Sequence, residues 1–127
     1  MGEYLIDTNV ISGYFSETLS VSALDFLGKV IDNVPNLSVI TEIEALSWIN
    51  ADKDKERILR EFIGDSTILG VTPQVVQQCV SIRRSRKIKT PDAIIAATAI
   101  VNNLILISSD ANFEGVQGLR IINPRNI

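Results

Sequence analysis

The run "TPDAIIAATAIVNNLILISS", Thr90 to Ser109, constrains the fold more than any other stretch of the chain. Its first half is almost wholly apolar at helical length. A helix of that composition has no polar face to offer water, so it belongs in a core. Asn102 and Asn103 stop it, and "LILISS" then reads as a β-run. Yet a single carboxylate, Asp92, opens the buried helix. The question is what that charge faces.

The rest of the chain repeats the pattern. Short β-runs occur at Glu3–Asp7 ("EYLID"), "LSVI", "STILGVT" and "LRIINP". Helical segments lie between them: "NVISGYF", then "SVSALDFLGKVIDNV" with Leu24, Leu27 and Ile31 in helical spacing and Ser22 as N-cap. Pro35-Asn36 breaks the chain. A helix runs from Thr41 to about Asn50, and a charged one, "DKDKERILREFIG", follows with apolar contacts at Ile58, Leu59, Phe62 and Ile63. "PQVVQQCVSIRRSRK" carries Pro73 at its first position. The 127 residues fit one domain, 1–127, with no repeat or linker. Strands alternating with helices predict an α/β domain: a mainly parallel central sheet between two helical layers. Ligands of such sheets bind beyond the C-terminal strand ends.

Composition narrows the chemistry. There is no histidine, which excludes Ser-His-Asp and Cys-His catalysis and the commonest zinc ligand. The single cysteine, Cys79, cannot form an internal disulfide; that suits a reducing, cytoplasmic setting and a packing role. No apolar run approaches the roughly 18–20 residues of a membrane span, and "MGEYLID" lacks the marks of a signal peptide.

Four acids stand at strand or helix ends: Asp7 closing the first strand, Glu44 after "LSVI", Asp92 opening the apolar helix, and Asp110 in "ISSDANF". Most of the others, such as Asp52, Asp54, Glu56 and Glu61, lie in mixed-charge surface stretches. Each of the four has a local explanation. Asp7 and Asp110 suit turns, Glu44 completes a Thr41-x-x-Glu44 capping box, and Asp92 complements the dipole of a helix with Thr90 as N-cap and Pro91 first. Together, at one edge of one sheet, they could converge on one point. Two carboxylates about 4 Å apart repel by roughly 4 kcal/mol at an effective dielectric near 20, so a convergent cluster needs a cation. All-oxygen ligands favour magnesium or manganese.

"YLIDTNVIS", "LSVITEIEAL", "TPDAIIAATAIVNNLILISSDANF" and "RIINP" together resemble the PIN domain, and within it the VapC-type ribonuclease toxins of prokaryotic toxin–antitoxin pairs. The resemblance runs from Tyr4 to Pro124. "DTN" alone is weak; "PDAIIAATA" followed by a strand and "SxDxxF" is specific. It implies a three-layer α/β/α PIN-like fold and a catalytic, metal-holding quartet of Asp7, Glu44, Asp92 and Asp110. Glu42 competes with Glu44, because residues two apart on a helix point roughly 200° apart. Helical periodicity does not choose between them; the family register, fixed by Ser38, Ile40 and Thr41, chooses Glu44. Thr8 and Asn9 match the family too, and Thr8 could donate its hydroxyl to a site carboxylate. Where the family often has "T-x-D", this chain has Ser108-Ser109-Asp110, which keeps a hydroxyl; Ser109 is the expected supporting residue.

The resemblance further implies metal-dependent RNA cleavage with one or two Mg2+ (or Mn2+) ions, a cognate antitoxin, a homodimer and no membrane. The net charge of −3 opposes an RNA partner, but setting the four site acids aside leaves 11 acidic residues against 12 basic. The segment Arg83, Arg84, Arg86, Lys87 and Lys89 leads straight to Asp92 and could hold RNA phosphates; otherwise it is a solvated helix end. A non-catalytic PIN-like binding module is the competing reading, and four clustered acids argue against it. A phosphoacceptor receiver domain fits less well, since "LRIINP" supplies no partner lysine.

Overall fold

The computed structural model describes residues 3–127. Five short strands form one sheet: β1 (Tyr4–Ile6), β2 (Asn36–Ser38), β3 (Thr67–Leu69), β4 (Ile105–Ile107) and β5 (Ile121–Ile122). Their order across the sheet is β3-β2-β1-β4-β5, and every described pairing is parallel. The chain steps outward from β1 to β3, then crosses back to lay β4 on the other side of β1. Strand order therefore reverses between β1 and β4, where a parallel sheet opens a crevice at its C-terminal edge.

Six helices complete three layers: α1 (Thr8–Phe15), α2 (Val21–Asp32), α3 (Val39–Leu46), α4 (Lys53–Asp65), α5 (Pro73–Ser85) and α6 (Thr90–Val101). Alternation along each strand divides the core. Leu5 and Leu106 face a layer containing Val75 and Ile82 of α5 and Ala93, Ile95, Ala96 and Ala97 of α6. Ile6, Leu37 and Ile107 face Val10, Leu27 and Ile63, from α1, α2 and α4. Burying each such Leu or Ile stabilises the fold by about 1.5–3 kcal/mol relative to exposure. The alanines let α6 lie close against the sheet, and its fully buried run from Ile95 to Ala99 bears out the reading of that stretch as core.

Local chemistry sets the helix starts, and it moves several of them. The N-cap of α2 is Ser20, whose hydroxyl accepts from the Ala23 amide, rather than Ser22. β2 ends at Ser38, whose hydroxyl accepts from the Ile40 amide, so Val39 and Ile40 are already helical. Thr41 thus lies inside α3, fully buried, and the expected Thr41-to-Glu44 capping box does not form. The N-cap of α6 is Lys89 instead of Thr90, and no side chain caps that helix end. On α4, Ile63 is buried and Leu59 and Phe62 pack against the core, but Ile58 is largely exposed. Among the described residues no helix is long and apolar enough to cross a membrane.

Candidate metal centre

The crevice between β1 and β4 is built around Asp7. The Asp7 amide donates to the Ile107 carbonyl at 3.0 Å, continuing the sheet one residue past β1. Its side chain then caps α1, with Oδ1 accepting from the Thr8 amide at 2.8 Å. Oδ2 accepts from the Ser108 hydroxyl at 2.7 Å, across the seam from the end of β4. Asp7 is only 5% exposed. Burial pushes its carboxyl from 3.8 up to about 6; the bonds from Ser108 and Thr8 oppose the rise, and the charges of Asp92 and Glu44 add to it.

Asp92 occupies the first turn of α6, half-buried. Among the described residues its carboxylate accepts no hydrogen bond. Burial raises it too, followed by the charges of Asp110 and then Glu44, while Lys89 pulls it down. Asp110 caps a 3-10 turn, Ala111–Phe113, through Oδ1 on the Asn112 amide at 2.9 Å. Glu44 lies one turn into α3 and accepts the Thr8 hydroxyl at 2.7 Å, and the same hydroxyl lies 3.2 Å from that of Thr41. Asp7 thus feels Asp92 and Glu44, and Asp92 feels Asp110 and Glu44, so the four acids form one chain of electrostatic neighbours. Among the described residues the Glu42 side chain makes no hydrogen bond or salt bridge, whereas Glu44 accepts from Thr8.

Among the described residues the four acids have no salt-bridge partner, since every salt bridge runs along α4, and Lys89 is the cation that acts on Asp92. No group of three or more Asp, Glu, Cys or His side chains among the described residues is placed so that it could hold a metal ion as it stands. The donor set is all carboxylate and hydroxyl oxygen, the donor chemistry that magnesium and manganese prefer over zinc. Magnesium keeps several of its waters and uses one or two carboxylates where calcium needs an enclosing shell.

Several residues hold places the sequence did not assign. Ser108, 1% exposed, holds Asp7 and also accepts from the Asp110 amide at 3.1 Å. It does the work expected of Ser109, which makes no such contact. The signal was present: the "T-x-D" register puts the hydroxyl two residues before the acid. Asn9 is exposed on α1 and is not tied to the acids. Of the basic segment, Arg83, Arg84, Lys87 and Lys89 are exposed, and Arg83 Nε also donates to the Ile88 carbonyl at 3.3 Å. The Arg86 guanidinium is spent on the backbone carbonyls of Asn112 and Glu114, at 3.1 and 2.8 Å. Ser108→Ala should move the Asp7 titration to higher pH and destabilise the protein by about 1–3 kcal/mol through the orphaned Asp110 amide. Ser109→Ala should do neither. A carboxyl NMR titration and thermal melts check both; equal behaviour of the two variants would remove Ser108 from the site.

An all-parallel α/β/α domain with acids gathered at its topological switch point defines the class. The PIN domain family matches residues 4–119, and the chain belongs to that family. No curated protein sequence matches it. Among solved structures, the DNA-bound VapBC complex of Salmonella typhimurium superposes with a TM-score of 0.81 at 19% identity, covering 98% of this chain and 99% of that one. FitAcB from Neisseria gonorrhoeae gives 0.77 at 23%, covering 98% and 99%. A toxin–antitoxin complex from Klebsiella pneumoniae gives 0.72 at 28%, covering 95% and 97%. The fold is that of a VapC-type PIN domain.

Proposed function

We propose that this protein is a metal-dependent endoribonuclease acting as the toxin of a type II toxin–antitoxin pair. The observation that carries the reading is the mutual influence of Asp7, Glu44, Asp92 and Asp110, none of them salt-bridged, beside the β1–β4 switch point. Kinship with the PIN family and likeness to toxin–antitoxin structures support it.

In this reading Asp7, Asp92 and Asp110 hold one or two Mg2+ or Mn2+ ions, with Glu44 direct or through water. Held by these acids, an ion would supply an activated water and would offset charge on the phosphoryl group. The protein supplies the positioning. Ser108 fixes one oxygen of Asp7, and the Thr8 amide fixes the other. The Thr8 hydroxyl aims Glu44. The exposed Arg84, Lys87 and Lys89 lie on the segment that leads into Asp92 and hold RNA phosphates beside the acids. A cognate antitoxin and a second copy of the chain are the expected partners. The groove lined by Phe15, Trp48, Ile58 and Leu59, and the exposed Ile43, Val76 and Val80, supply apolar surface for such contacts.

The test is cleavage-site mapping on total RNA with Mg2+, Mn2+ or EDTA. Defined cuts with metal and none in EDTA are expected; cleavage indifferent to EDTA, or none with either metal, overturns the reading. Glu44→Gln should lose at least about tenfold in rate, the scale of a disturbed metal shell, while Glu42→Gln loses little. Equal losses would break the register. Neutralising Arg84, Lys87 or Lys89 should weaken RNA binding and flatten its logarithmic salt dependence by about 0.7 per lost phosphate contact. An unchanged slope would assign those residues to solvent.

A further inference from the structure

We infer that Arg86 is a positioning residue that fixes the separation of Asp92 and Asp110 by tying the segment leading into one to the turn carrying the other. This rests on the metal-dependent reading of the same site.

Arg86 ends α5. Its backbone is extended, and three residues later Lys89 begins α6, whose first turn carries Asp92. From that connection its guanidinium reaches across to the segment after β4. Nη1 donates to the Glu114 carbonyl at 2.8 Å, and Nη2 donates to the Asn112 carbonyl at 3.1 Å. Those carbonyls belong to the end of the 3-10 turn that Asp110 starts. The other side of the turn is pinned separately. Phe113 is fully buried in the core, and the Asp110 amide is held by Ser108. With Arg86 added, the short segment from Asp110 to Glu114 is held at its start, its middle and its end.

The chemistry of the residue supports geometry over charge. Among the described residues Arg86 forms no salt bridge, so its guanidinium does not neutralise a site acid by direct contact. It sits half-buried, with a buried Nε that has no hydrogen-bond partner among the described residues. A side chain meant for phosphate would face solvent, as Arg84 and Lys87 do. The two carbonyls lie two residues apart, and a planar fork spans them where a lysine ammonium, a single point, meets one. The need for such a tie is physical. Asp92 and Asp110 carry like charge on separate segments, and repulsion between them favours spreading before any ion binds.

The experiment compares the parent with Arg86→Lys, Arg86→Gln and Arg84→Gln. Three readouts are taken: Mn2+ affinity by calorimetry without RNA, hydrogen exchange of amides 111–115 in EDTA, and kcat and KM with the salt slope of RNA binding. For both Arg86 variants we expect roughly tenfold or greater loss of Mn2+ affinity, the range for outer-shell partners. Amides 111–115 should exchange faster, and kcat should fall with KM and the salt slope unchanged. Arg84→Gln should do the reverse, raising KM and flattening the slope with exchange unchanged. A flattened slope with unchanged exchange in the Arg86 variants overturns the inference in favour of phosphate binding. A lower melting temperature with unchanged Mn2+ affinity and kcat overturns it in favour of a general structural role, as does full function in Arg86→Lys. If the parent shows no metal-dependent cleavage, the proposed function falls, while exchange and Mn2+ affinity still decide the role of Arg86.

Discussion

Asp92→Asn is expected to lower metal-dependent RNA cleavage by at least about a hundredfold, since even outer-shell partners of a metal site cost 10- to 100-fold. The fold should persist. Among the described residues the Asp92 carboxylate accepts no hydrogen bond and α6 has no side-chain cap, so the amide breaks no local contact. Losing a charge in the first turn of a helix costs about 0.3–1 kcal/mol of dipole interaction. Relief of repulsion from Asp110 and Glu44 opposes that loss, because both push the Asp92 carboxyl upward. The two effects oppose one another, so stability should change little while activity collapses. The measurement is RNA cleavage at saturating Mg2+ beside circular dichroism and a melt. Parent-like cleavage by a folded Asp92→Asn protein would show that Asp92 merely decorates a helix end.

The answer to what Asp92 faces was legible because strongly apolar elements have few places to go. A run from Ala93 to Ala99 with no polar stripe had to be largely buried, and the strand after it had to join the sheet interior. The alternation of elements then implied a parallel sheet, and the rule for switch points directed attention to Asp7 and Asp110. Helix starts were less legible. Ser20 and Ser22, or Ser38 and Thr41, all carry a hydroxyl that can cap, and single-residue differences in backbone angle decide which does. That choice had a consequence for function: with Ser38 as the cap, the local explanation of Glu44 disappears and its bond to Thr8 takes its place. Ser108 and Ser109 differ in the same way, since successive residues beyond a strand point to opposite faces. Arg86 was beyond sequence reading altogether. Five cations in seven residues look alike on paper, and only the position of the 112–114 carbonyls separates the structural guanidinium from its exposed neighbours.

Asp7→Asn should reveal the cost of assembling the site. A carboxyl whose folded pKa lies above its unfolded value contributes stability below about pH 4, where it is protonated in both states. That contribution is lost as pH rises through the folded value of about 6. At pH 7 the metal-free protein therefore carries an ionised, buried Asp7 that opposes folding. The upper bound for a shift of about two units is about 3 kcal/mol. Asparagine keeps the helix cap, since Asn and Asp are equivalent there, and its amide can donate to the Ser108 oxygen. The neutral bonds are weaker than those of a carboxylate, so the net gain should be about 1–2 kcal/mol at pH 7, shrinking to nothing near pH 4. In metal the order should invert. Ligand that binds only the native state adds about 2.7 kcal/mol at a hundredfold excess over Kd, and Asp7→Asn should forfeit most of that. Melts of parent and variant between pH 4 and 7.5, in EDTA and in millimolar Mg2+ or Mn2+, separate the two halves. If the variant is the less stable protein in EDTA at pH 7 and metal shifts both alike, Asp7 is a helix cap and the metal lies elsewhere.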